Sequence, residues 1–436
     1  MKINTISLSL FAALQLLSGA ANSQTSIADT QDIQRIIQTL AADDMRGRAA
    51  LTPDIGKAAD FIANEFRQAG LKPYAEENYR QTFDITRVST AEQNVQVNSE
   101  QLKPDDYIIL SNEPSLRWSS SQDLPSLEIT AGQDFSERFR EIVRNNPGNA
   151  VIWVDPSFAP LLARFKKIFT RENVVPKQDT PSYGFSKVFI VKRAPITSFQ
   201  ITSDTKHQDF SLFNVAAVIP GRSKADEFVV FSAHYDHIGI LDPVEQDSIA
   251  NGADDDASGT TAMIALAKHF QKLNNNERTL IFVAFTAEEI GMFGSKYFSN
   301  QIDADQVVAM VNIEMIGKDS KFGPNSLYVT GYNNSNLAAL MQENLKGTAF
   351  TFHPDPYPQQ NLFYRSDNAV LAALGVPAHT FSTSQIDKDA YYHTVKDELS
   401  TLDIQNIKSS IEAIAQGVKG IVAGKQTPSR VEKLKE

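Results

Sequence analysis

Five short stretches of this chain concentrate the side chains able to bind a cation or move a proton. AHYDHIG holds His234, Asp236 and His237, and NGADDDASGT sets Asp254, Asp255 and Asp256 side by side. FTAEE carries Glu288 and Glu289, NIEMIG carries Glu314, and DAYYHTVKDE carries His393. The chain has no cysteine, so thiolate ligands, a cysteine nucleophile and disulfides are excluded. Histidine and carboxylate donors without thiolate suit a catalytic zinc site that keeps a position open for water. Two divalent ions about 3.5–4 Å apart need a carboxylate between them. A neighbouring pair such as Glu288 and Glu289 can supply one ligand and one general base. Three aspartates in a row repel one another unless a cation or a helix N-terminus holds them.

For these groups to meet, one scaffold must bring them to a common edge. FVVFSA runs into His234, IFVAFTA into Glu288 and Glu289, and AMVNI into Glu314; each is an apolar, strand-like run. GTTAMIALAKHFQKL, NLAALMQENL and DIQNIKSSIEAIAQGVKGIVAG have helical spacing, and SLYVTG and VPAHTFST read as further strands. Strands alternating with helices predict an α/β domain with a largely parallel sheet covered on both faces. Sites in such sheets lie beyond the carboxyl ends of the strands, which is where these residues fall. Two helices are expected before it, the second starting near Thr52-Pro53-Asp54 and stopping at Gly70. Between residues 89 and 210 the texture changes to short β-like runs (YIIL, NAVIWV, KVFIVK) with one short helix around Arg138–Arg144.

Taken together, AHYDHIG, NGADDDASGT, FTAEEIGMFGS, NIEMIG, SDNAVLAALGVPA and YYHTVKDE resemble, in order, the motifs of the di-zinc exopeptidase family of bacterial secreted aminopeptidases and glutamate carboxypeptidase II, peptidase family 28. The resemblance covers about residues 210–400, and LAADDMRGR and TPDIGKAADFIANEF look like the helices that open that family's catalytic domain. It implies a three-layer α/β sandwich with a mixed, mostly parallel sheet of the zinc-exopeptidase, phosphorylase/hydrolase-like kind; residues 89–210 lie outside the resemblance and, from their change of texture, are expected to be an inserted β-rich domain or lid. The implied layout is 24–88 and 211–425 for the peptidase domain and 426–436 for a polar tail expected to fray.

Carried over by position, the resemblance implies two zinc ions, with cobalt or manganese as substitutes. His234 and Glu314 would hold one ion, Glu289 and His393 the other, and Asp255 would bridge them. Asp236 would orient His234 through its other ring nitrogen, and Glu288 would be the general base. The bond Asp255–Asp256 would be cis. Glu314 departs from the family, which has aspartate there. The implied activity is aminopeptidase action on a peptide substrate; carboxypeptidase, dipeptidase or glutaminyl cyclase chemistry on the same fold is the alternative, and a binding protein without activity the rival of another class.

Other polar residues read more plainly. His237 is expected at the rim or in a structural role, because it falls on no ligand position. Asp254 and Asp256 could be helix-capping acids. Tyr391 and Tyr392 read as packing or rim residues, although a tyrosine beside a ligand histidine could donate to an oxyanion. Arg365 and Asp367 lie in a loop, YRSDN, that could line the pocket. The net charge of −11 argues against a nucleic-acid or anionic-membrane partner. Residues 1–23 carry one Lys, an apolar stretch from Ile6 to Leu17 and small residues near Ala21–Ser23, the pattern of a cleaved secretory signal and hence of an exported protein. No later run is long and apolar enough to cross a bilayer.

Overall fold

A computed structural model describes residues 27–145, 148–169, 173–177 and 184–434; the leader-like residues 1–23 lie outside them. The main sheet runs, from one edge, through the strands Thr351–Pro354, Ser326–Val329, Ala378–Ser382, Val307–Ile313, Lys224–His234, Arg278–Phe285, Phe199–Ile219 and Arg80–Val97. Its centre is parallel: Ala378–Ser382, Val307–Ile313, Lys224–His234 and Arg278–Phe285 all point the same way. Antiparallel strands flank it on the Phe199–Ile219 side. All eight residues of Arg278–Phe285 are buried, as expected of a strand covered on both faces.

Helices supply those two covers. On one face Thr30–Leu40, Ile55–Ala69, Gly259–Leu273, Leu337–Asn344 and Ile404–Val422 pack apolar stripes such as Ile33, Ile36, Ile37 and Leu40 against Val229, Phe231 and Phe282. On the other, Phe298 from Phe293–Gln301 and Leu371 from Asn368–Ala373 meet Val230, Ile281 and Phe285. The mixed α/β sandwich expected from the sequence is the observed fold. Helix Ile55–Ala69 starts after Asp54 and ends at Gly70, whose φ of 78° allows its N–H to turn back on Arg67 and Phe66 carbonyls.

A second, four-stranded sheet forms from Tyr107–Leu110, Lys187–Val191, Ala150–Val154 and Ser126–Ile129. It carries two helices, Phe135–Asn145 and Ala159–Phe169, and an aromatic core centred on Phe139, which stacks on Phe189 at 4.4 Å and meets Phe165 edge-on at 5.0 Å. The second of these helices goes unread in the sequence, where Ala159–Phe169 sits among β-like runs. The two sheets are joined by a long ribbon, since Arg80–Val97 and Phe199–Ile219 pair from one end to the other with one register shift at Asp204/Thr205.

Up to residue 434 the C-terminal tail is docked, where composition suggests fraying. Arg278 donates to the Gln426 carbonyl and the Thr427 hydroxyl, Arg430 donates to the Val307 carbonyl, and Val431 is buried against Leu371 and Val376.

Candidate metal centre

The strand ends deliver the chemistry. His234 is the last residue of its strand, Glu288 and Glu289 follow Phe285 after a short turn, and Glu314 follows Ile313 directly. Parallel register sets the three exits side by side at one edge. Their backbone is unusual there: Ala287, Met315 and His393 have φ of 59°, 51° and 56°. Left-handed backbone at residues with a Cβ is uncommon and gathers at functional sites.

The triple aspartate enters from the opposite side, between the strand edge and helix Gly259–Leu273. Its Asp255–Asp256 bond is cis, as the resemblance implies. Asp256 accepts from the backbone N–H of Gly259, Met315 and His234, so it caps the helix and ties it to two strand ends. Gly259 lacks a Cβ for a reason: one would collide with the Ile313 carbonyl and the Asp256 carboxylate. Gly252, at φ 57°, likewise leaves room for the His237 ring.

Asp255 lies at the middle of the assembly. Its Oδ1 is 3.2 Å from His234 Nε2, and its Oδ2 is 3.2 Å from His393 Nε2 and 3.7 Å from His237 Nδ1. One donor atom each from His234, Asp255 and Glu314 lie within 4.8 Å of one another, and so do those of His237, Asp255 and Glu289. Asp255 is common to both groups. His393 Nε2 is also 3.1 Å from Glu289 Oε2. Five residues singled out from sequence thus line one centre, with Glu288 in the same cavity of about 310 Å³.

Two placements refine the sequence reading, those of His237 and Asp236. His237 is buried rather than at the rim, and its Nδ1 lies 2.8 Å from Glu289 Oε1. Its position in the same short motif as His234 was the available signal. The Asp236 carboxylate lies 3.9 Å from His234 Nδ1, and its backbone carbonyl lies nearer, at 3.1 Å. The Asp236 carboxylate also accepts from the backbone N–H of Glu288 and Glu289, so it positions the paired glutamates. Tyr392 stacks on the His393 ring at 3.9 Å and lines the cavity together with Arg365, while Asp367 is fully buried.

A buried arginine, unread in the sequence, fastens the loops. Arg48 donates through Nε to the Tyr235 carbonyl, through Nη1 to the Leu40 and Asn251 carbonyls, and through Nη2 to the Gly252 carbonyl. It therefore joins the His234 turn to the segment leading into the triple aspartate.

The electrostatics ask for a cation. Asp236, Asp255, Asp256 and Asp367 are all buried around this point. Burial raises Asp236 and Glu314 to about 7, and raises Glu288 well above its ordinary value with help from Glu314 and Asp367. Burial would raise Asp255 too, but His234 and His393 hold it well below the usual carboxylate range. Burial opposes charge on His393, yet Asp255 and Glu289 raise it to about 10. Among the described residues, His234 Nε2 and Glu314 Oε2 are buried without a hydrogen-bond partner. Orphaned lone pairs of this kind are expensive unless an ion takes them. A nitrogen and oxygen donor set with no sulfur fits zinc in a catalytic setting.

Residues 214–418 match the family described as Peptidase family M28. A probable leucine aminopeptidase of Trichophyton verrucosum is 30% identical over 207 residues, covering 45% of this chain and 53% of the relative. The chain thus spans about half the length of that curated relative. Among solved structures, the aminopeptidase from Aneurinibacillus sp. strain AM-1 superposes with a TM-score of 0.53 at 18% identity, over 93% of this chain and 95% of that one. A zinc aminopeptidase from Bacillus subtilis gives 0.53 at 15% identity, over 92% and 96%. At such identities these two likenesses speak for the fold. The similarity to peptidase family M28 thus covers residues 214–418, a little under half of the chain.

Proposed function

We propose that this chain is an exported zinc-dependent aminopeptidase that hydrolyses the N-terminal peptide bond of peptides. The observation that carries the reading is Asp255, whose two oxygens face two separate donor groups. His234, Asp255 and Glu314 would hold one zinc, and Asp255, Glu289 and His393 the other, with His237 against Glu289. Bound zinc supplies Lewis acidity for the scissile carbonyl and makes a water acidic enough to deprotonate near neutral pH.

The remaining work falls to side chains. Glu288 lines the cavity and belongs to no donor group among the described residues, which leaves it free to accept a proton from the attacking water and return it to the leaving amine. Burial raises its affinity for a proton, which suits a group that must take and give one near pH 7. Asp236 holds the Glu288 backbone, so the base cannot drift. Burial and the nearby carboxylates raise Tyr392, so its hydroxyl keeps its proton and can donate to a developing oxyanion. Met292, Tyr328, Leu362 and Ile386 line the part of the cavity that would take the side chain of the cleaved residue. Export rests on the leader-like residues 1–23; no helix among the described residues is long and apolar enough to cross a membrane.

Glu288→Gln is the test. It should leave zinc content at two per chain and reduce kcat on aminoacyl amides by about a hundredfold or more, the usual weight of a general base. An active variant would overturn the assignment of the base, and a wild-type chain with one zinc would overturn the two-ion reading.

A further inference from the structure

Behind the centre lies a second cluster of charge that the proposed chemistry does not use. Lys318 Nζ is 2.7 Å from Asp389 Oδ2, 3.5 Å from Asp254 Oδ2 and 3.6 Å from Asp397 Oδ1. The side chains of the three acids are at most 5% exposed, and that of the lysine is 17% exposed. A single ammonium thus faces three buried carboxylates. Like charges so close in a poorly solvated pocket repel strongly unless a cation stands among them.

Each acid is wired to a different part of the centre. The Asp397 carboxylate accepts from the backbone N–H of Asp254 and of Asp255, and its carbonyl accepts from Ala253 N–H. Asp254 Oδ1 accepts from Gly317 N–H at 2.7 Å and from the Ser258 hydroxyl. Asp389 Oδ1 accepts from Tyr391 N–H, two residues before His393, and the Lys318 ammonium sits 5.4 Å above the Tyr391 ring. The lysine therefore joins the loop that carries Asp255 to the loop that carries His393. The opposite side of the centre is anchored differently: His234 ends a paired central strand, and Glu314 N–H bonds the Phe381 carbonyl. His393 has no strand beneath it, and its side chain is 37% exposed.

We infer that Lys318 is a positioning residue that holds the Asp255 and His393 loops together, and so sets metal affinity on the Glu289–His393 side of the centre rather than on the His234–Glu314 side. This rests on the two-zinc reading above. Without the ammonium, Asp254, Asp389 and Asp397 are left facing one another, and the less anchored His393 loop is the part that yields. Asp254 thereby acquires a role, as one of three acids through which the lysine grips the bridge.

The experiment measures zinc stoichiometry and affinity by chelator competition, and the absorption spectrum of the cobalt-substituted protein, for wild type, Lys318→Met, Lys318→Arg and Asp389→Asn. Wild type should bind two ions. Lys318→Met should keep one at near wild-type affinity and bind the second about ten- to a hundredfold more weakly, the range typical for lost supporting contacts. The cobalt spectrum should lose only the contribution of the weakened ion, and Lys318→Arg should restore most of the affinity. Asp389→Asn removes the lysine's shortest contact while leaving the bridge loop intact, so it decides the matter if Lys318→Met does not fold; it too should weaken the second ion selectively. Unchanged affinity for both ions, or an equal fall for both, overturns the inference while leaving the two-zinc reading in place. A wild-type chain binding one ion overturns that reading and this inference with it.

Discussion

Replacing Arg48 with methionine should unfold this protein far more readily than most single substitutions. The guanidinium is wholly buried, and it donates four hydrogen bonds, at 2.6–2.9 Å, to the carbonyls of Leu40, Tyr235, Asn251 and Gly252. Its partners are carbonyls rather than carboxylates; burial works against its charge, and Asp255, Asp397, Asp236 and Asp256 act from a distance to retain it. At about 1–1.5 kcal/mol net for each bond, its loss removes about 4–6 kcal/mol, because methionine leaves four buried carbonyls without donors. That is a large fraction of the stability of an ordinary domain. Urea unfolding of the metal-stripped protein, followed by circular dichroism, reads the change. Lysine at this position keeps the charge but loses the planar fork, so it should recover only part of the deficit. A loss under about 1 kcal/mol for Arg48→Met would refute the reasoning, since water would then be replacing the guanidinium at no penalty.

Two further outcomes concern stability away from the centre. Glu65, whose side chain is 3% exposed, takes two bonds of 2.8 Å from Arg35 and lies 2.6 Å from Lys268. Burial tends to raise it, but these two cations bring it below its ordinary 4.5, so its contribution is complete above that pH and is lost as pH falls through the lower folded value. Glu65→Gln should therefore destabilise by about 1–2 kcal/mol at pH 7, discounted because both cations are partly exposed, and the gap from wild type should close as pH falls below 4.5 and through the lower folded value; a gap independent of pH speaks against the ion pairs as its source. Phe139→Ala should remove about 3–5 kcal/mol from the second sheet, where its ring meets Phe135, Phe165, Phe169 and Phe189. Hydrogen exchange should accelerate in Ala150–Val154 and Lys187–Val191 and stay slow in Lys224–His234; equal acceleration in both sheets would contradict that localisation.

Much of the core is legible because its strands are buried on both faces and so read as apolar runs. FVVFSA, IFVAFTA and AMVNI each lead directly into a residue of the centre, and their parallel pairing turns three sequence positions into one edge. What stays hidden depends on contacts with no local pattern. Arg48 reaches carbonyls 187 to 204 residues away, and nothing near LAADDMRGR announces that its guanidinium is internal. Lys318 looks like an ordinary polar residue after NIEMIG until two other loops converge on it. His237 misleads because ligand spacing alone cannot say which of two histidines in HYDH turns inward; here both do. The tail misleads through composition, since a polar segment can still bury one well-placed valine, here Val431.

The paired strands linking the two sheets alter how the chain can be divided. Residues 89 and 210, where the texture of the sequence changes, lie inside Arg80–Val97 and Phe199–Ile219, in the middle of a continuous ladder. A joint made of hydrogen-bonded register differs from a joint made of linker: it resists swivelling, and it cannot be severed without exposing two raw strand edges. Anyone wishing to excise or exchange the second sheet as a cassette should cut on the far side of the shift at Asp204/Thr205, leaving the ladder below it to close the main sheet. Measured along the chain the second sheet's segment begins at a change of composition, but measured as a transplantable part it begins at the register shift.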